Sequence, residues 1–133
     1  MGGLAEGMSV IMSRSQRVLI VEDEYFLASD LRDALEREGM IVVGPVATEA
    51  KALALLTEGG IDCAILDINL NGQASYAVAV ALRARGIPFL FVTGYDSVAE
   101  DTAFGDVELI LKPWTADAII AGIARMTATP HRS

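Results

Sequence analysis

Five short apolar runs, each separated from the next by a glycine-punctuated polar or amphipathic stretch, limit what this chain can fold into. Arg17 to Glu22 reads RVLIVE, too short for a helix and rich in β-branched residues, which suits a strand buried on both faces. Leu27, Leu31, Ala34 and Leu35 then recur at helical spacing among Asp30, Arg32, Asp33, Glu36 and Arg37, and Gly39 stands where such a helix stops. The pattern repeats as a predicted strand from Ile41 to Val46, a helix from about Thr48 to Glu58, the break Gly59-Gly60 and a strand from Ile61 to Leu66. Asn71-Gly72 predicts a turn, followed by a small-residue helix from about Gln73 to Arg85, the breaker Gly86 and a strand from Ile87 to Val92. A short helix is expected to open at Ser97, with Glu100 completing a capping box. Val107 to Leu111 is the fifth predicted strand, and Thr115 caps a last helix carrying Ile119, Ile120, Ile123 and Met126.

Strands alternating with helices through short connections predict an α/β fold, a flavodoxin-like (βα)5 unit with a doubly wound parallel five-stranded sheet. Right-handed crossovers allow two main strand orders, of which 2-1-3-4-5 is the usual one for five units. In either order the working site lies at the carboxyl ends of the strands.

The 133 residues suit one domain, expected over 16–128, between a disordered tail of 1–15 and a short tail of 129–133. No output domain is expected on this reading. A formal net charge of -8 repels phosphate backbones and anionic lipid, which argues against direct nucleic-acid binding. No run of about 20 apolar residues is free of charge and glycine, so no membrane span is predicted, and residues 1–15 lack the pattern of a signal peptide. The lone cysteine, Cys63, has no internal partner, which points to the cytoplasm, and it sits in an apolar run as a small core residue. Tyr76 and Trp114 are expected to pack rather than react.

The predicted strand ends carry the chemistry. The first ends in Glu22-Asp23-Glu24, the third in Asp67, the fourth in Thr93 and the fifth in Lys112. Carboxylates crowded into a partly dry cleft resist ionising unless a cation sits among them, and an all-oxygen donor set suits Mg2+ better than Ca2+ or zinc. An Asp is a competent nucleophile toward phosphorus where charge is screened. Lys112 can pair with the incoming phosphoryl group, the Thr93 hydroxyl can donate to one of its oxygens, and Gly94 leaves the following loop free to move inward.

At these residues the chain resembles the response-regulator receiver family, from about Arg17 to Met126. VLIVEDE, LDINLNG, VTG and LKP match its four signature segments in order. The resemblance implies that Asp67 is the phosphoacceptor and that Glu22, Asp23, Asp67 and the backbone carbonyl of Asn69 form the Mg2+ site. It gives Thr93 and Lys112 the switch and phosphate-pairing roles, and it implies a cis bond before Pro113. The partners it implies are a sensor histidine kinase and a downstream protein or phosphotransfer protein, with room for a weak homodimer through the last two helices. Two departures stand out: Glu22 replaces the family's usual Asp, and Leu109 occupies the place of an aromatic switch residue. The segment PFLFVTGYD, Pro88 to Asp96, resembles the signature of the FAT GUY subfamily of single-domain receivers, whose members similarly lack that aromatic. Tyr95, two residues past Thr93, then becomes the expected carrier of the signal to a partner.

Three other functions compete. A haloacid dehalogenase-type phosphatase uses an Asp nucleophile at the end of its first strand in a DxD pattern, where this chain has EDE. A flavin mononucleotide carrier needs a phosphate-cradling loop after the first strand, and the acidic loop here repels one. A pseudo-receiver that binds partners without phosphate is kept open only by Leu109.

Overall fold

The computed structural model describes residues 15–70, 72–94 and 104–128. Its main sheet contains β1 (Arg17–Val21), β2 (Ile41–Val46), β3 (Cys63–Asp67), β6 (Phe89–Thr93) and β7 (Leu109–Leu111). All the pairings are parallel, in the order β2-β1-β3-β6-β7. This is the predicted 2-1-3-4-5 arrangement when the sheet's own strands are counted along the chain.

Four helices are seen among the described residues: α1 (Tyr25–Arg37), α2 (Glu49–Glu58), α3 (Tyr76–Ala84) and α4 (Ala116–Thr127). They cover both faces of the sheet. Leu19, Val21, Ala64, Leu66 and Phe91 pack with Ala52 and Leu56 of α2 and with Val78, Ala79 and Leu82 of α3. Val18, Ile20, Cys63, Ile65 and Val92 pack with Leu31 and Leu35 of α1 and with Ile119 and Ile123 of α4. Alternate residues of one strand therefore enter different cores, which is why β1 and β3 read as unbroken apolar runs. Cys63 is fully buried, and burial pushes its thiol up to about 12. Tyr76 stacks on Phe104, and Trp114 packs against the core under α1 and α4, so both are packing residues as expected.

Thr115 caps its helix as predicted, accepting from the Ala118 N–H, and Thr48 caps α2 in the same way, accepting from the Lys51 N–H. The peptide bond before Pro113 is cis, as is that before Pro45. Among the described residues no helix is long and apolar enough to cross a membrane.

The structure corrects several element boundaries. The helix expected from Gln73 begins at Tyr76, because Asn69–Leu70 (β4) and Gln73–Ala74 (β5) form a small antiparallel hairpin. Its turn is closed by the Asn69 side chain accepting from the Gly72 N–H, with Gly72 at φ +84°. The third and fourth strands each run one residue further than predicted, since Asp67 pairs with Val92 and Thr93 with Leu111. The fifth strand is shorter and begins at Leu109. The tails 1–14 and 129–133, Tyr95 and the helix expected at Ser97 lie outside the described residues.

Candidate phosphoacceptor site

Because all five main strands run the same way, their carboxyl ends share one edge, and the predicted acidic, Thr and Lys residues gather there. Asp67 is the last residue of β3 and is 2% exposed. One of its oxygens accepts from the Asn69 N–H at 3.0 Å, and the other accepts from Lys112 Nζ at 3.0 Å. Glu22, just past β1, is also buried and accepts from Lys112 at 3.2 Å. Asp23 is half-buried beside it. Carboxylate oxygens of Glu22, Asp23, Glu24 and Asp67 all lie within 4.8 Å of one another.

The electrostatics show what this crowding costs. Burial, then the charge of Asp67, push the Glu22 carboxyl up to about 8, against the pull of the Glu24 N–H and of Lys112. Burial opposes the charge on Lys112, but hydrogen bonds to Glu24 and Asp67 and the charges of Glu22 and Asp67 outweigh it, so its ammonium is held above the ordinary range. Four carboxylates around one ammonium leave an excess of negative charge, with oxygen donors only. That set fits a hard divalent cation and fits no soft one.

Glu24 is the residue that the sequence comparison with the family passes over. It makes the shortest of the three Lys112 contacts, 2.8 Å, while its own N–H donates to Glu22. The third acid of EDE was its only signal in the sequence. Thr93 ends β6 fully buried, and its carbonyl accepts from the Lys112 N–H at 2.7 Å, which ties the two residues' backbones together. Among the described residues a Cβ on Gly94 would meet nothing within 4 Å. Leu109 lies on β7 opposite Phe91, 37% exposed, and offers no ring to rotate. Asn69 sits in the hairpin beside Asp67, its N–H committed to that carboxylate.

Comparison with known proteins agrees with this geometry. Residues 18–124 match the response regulator receiver domain. The sensory transduction protein RegX3 of Mycobacterium tuberculosis is 36% identical over 114 residues, covering 80% of this chain and 48% of the relative. The chain thus spans about half the length of the curated relatives it matches. The solution structure of SdrG from Sphingomonas melonis Fr1 is 47% identical with a TM-score of 0.76, covering 86% of this chain and 98% of that one. The BeF3-activated conformation of SdrG is 45% identical, with a TM-score of 0.72 over 87% of this chain and 99% of that one. On the strength of that match and of the strand-end constellation, this chain belongs to the response-regulator receiver family, the switch domain of phosphorelay signalling.

Proposed function

We propose that Asp67 is the phosphoacceptor of this receiver. The observation that carries the reading is the Asp67 carboxylate itself, buried at a strand end and held at both oxygens, with an ammonium beside it to meet a phosphoryl group. A carboxylate oxygen of Asp67 forms the new O–P bond as the P–N bond of a kinase phosphohistidine breaks, and the departing imidazole takes up a proton. With acetyl phosphate the broken bond is P–O, and acetate departs. Lys112 already touches Asp67 and stays within reach of the added oxygens. Thr93, one strand over, is the hydroxyl that turns toward them. Glu22, Asp23, Asp67 and the Asn69 carbonyl would hold Mg2+, which when bound supplies screening of the phosphoryl oxygens.

The partners on this reading are a histidine kinase and a protein that recognises the phosphorylated form; the acidic balance argues against nucleic acid. A cytoplasmic location fits the single buried cysteine. The test is intact-mass analysis after incubation with acetyl phosphate. One phosphoryl group should be gained with Mg2+ and none with a chelator, and a protein whose mass never changes would refute the reading.

Direct ligation by Asp23 has its own test. Asp23→Asn removes one donor from the cluster and should weaken Mg2+ binding by at least about tenfold, slowing labelling in step. Stability without metal should hold level or rise, because crowding is relieved. Unchanged Mg2+ affinity in a titration counts against ligation.

A further inference from the structure

A serine just before a helix ordinarily turns its oxygen toward the N–H groups of the first turn. Ser75 stands in that position before α3, yet its side chain forms no cap. Its hydroxyl instead donates to the backbone carbonyl of Asp67 at 2.5 Å, and the residue is fully buried, so water does not compete for the bond. The helix end is served from elsewhere. Glu49, the first residue of α2, reaches across to accept from the Ala77 N–H at 3.1 Å. Capping has passed to a neighbouring helix, and the Ser75 hydroxyl is released for another use.

That use concerns one peptide unit. The oxygen of the Asp67–Ile68 peptide accepts from Ser75, while its N–H donates to the Val92 carbonyl at 3.0 Å. Ser75 also donates its own N–H to the Ile68 carbonyl at 2.8 Å, so it grips the carbonyls of Asp67 and of the residue after it. Slack in this peptide would let the Asp67 carboxylate turn off its line of attack even with its Lys112 and Asn69 contacts kept. We propose that Ser75 is a positioning residue for phosphoryl uptake, locking the main chain of Asp67 so that its carboxylate meets the phosphorus in line. This inference rests on the reading of Asp67 as the phosphoacceptor. Phosphoryl transfer depends chiefly on alignment, and a misplacement of about 1 Å can cost about a hundredfold in rate.

The experiment measures labelling by acetyl phosphate with Mg2+ in full-length Ser75→Ala, Ser75→Thr and Glu49→Ala, with urea unfolding of each. Ser75→Ala leaves the Asn69 and Lys112 contacts in place, so its maximal labelling rate should fall only about tenfold, at an unchanged half-saturating donor concentration. Ser75→Thr keeps the hydroxyl and should recover to within about threefold of wild type. Glu49→Ala loses the cap, so its urea midpoint should drop while its labelling rate stays at the wild-type value. If Ser75→Ala does not fold, Ser75→Cys, similar in size but a weak donor, replaces it with the same expected slowing. Labelling of Ser75→Ala at the wild-type rate overturns the proposal. So does a Ser75→Thr variant as slow as the alanine, or a Glu49→Ala variant slowed equally, because either would make the effect one of packing or helix stability. A wild-type protein that takes up no phosphoryl group overturns the Asp67 reading first, before any variant is compared.

Discussion

Asp67→Asn should take up no phosphoryl group from acetyl phosphate under conditions that label the wild-type protein fully. An amide has no oxygen able to form the O–P bond without losing its own conjugation, so uptake at this position ends outright. The fold should survive the change. The side-chain oxygen of asparagine can still accept from the Asn69 N–H, and the substitution is nearly isosteric in a position only 2% exposed. Two electrostatic effects then oppose each other. The ion pair with Lys112 is lost, while repulsion with Glu22 is relieved, and the net change in unfolding free energy should stay within about 1 kcal/mol. Intact mass and urea unfolding on the same sample check both parts. Persistence of the added mass would move the acceptor role to another carboxylate.

Lys112→Ala is expected to have the largest effect on the metal-free fold. Its ammonium bridges Glu22, Glu24 and Asp67, and two of those three carboxylates have side chains only 3% exposed. Removing one partner of a buried pair costs about 3–5 kcal/mol, because the remaining charge stays buried without compensation. Here Glu24 is open to water and Glu22 can take a proton, which softens the loss to about 2–3 kcal/mol. Saturating Mg2+ should recover most of that difference, since a cation among the same oxygens supplies the missing positive charge. Urea unfolding with and without Mg2+ measures the pair of values. Equal destabilisation in both conditions would show that Lys112 and the cation do not share these carboxylates.

The sheet was legible because every residue of β3 and β6 except the last must be apolar enough to enter one of two cores, and the sequence alone reveals such runs. The ends of those strands were harder to place. Asp67 and Thr93 are polar, yet they remain in the ladder because Val92 and Leu111 stand opposite them, a fact of pairing that a single strand's sequence does not contain. The hairpin at Asn69 to Ala74 was missed for a similar reason, since Gln73 and Ala74 are compatible with a helix until the Asn69 side chain closes the turn. In the site, the acids, Thr93 and Lys112 could be read from their places after strands. The three-way pairing of Lys112 and the exchange of capping between Glu49 and Ser75 could not, because each depends on distances between elements remote in sequence. Tyr95 lies outside the described residues.

The strands that carry the site differ greatly in how firmly they are held. Glu22 and Asp67 hang from β1 and β3, two central strands buried along almost their whole length, whereas Lys112 follows β7, a three-residue edge strand with Leu109 and Leu111 exposed. In hydrogen exchange the two halves should behave as different opening units. Amides of the acidic half should be released only when the molecule unfolds globally, while those of the lysine's strand should open in a smaller fluctuation that leaves the core closed. On that expectation the cationic side of the site would loosen and re-form while the Asp67 carboxylate stays fixed, with no more than a fraction of the total folding free energy at stake.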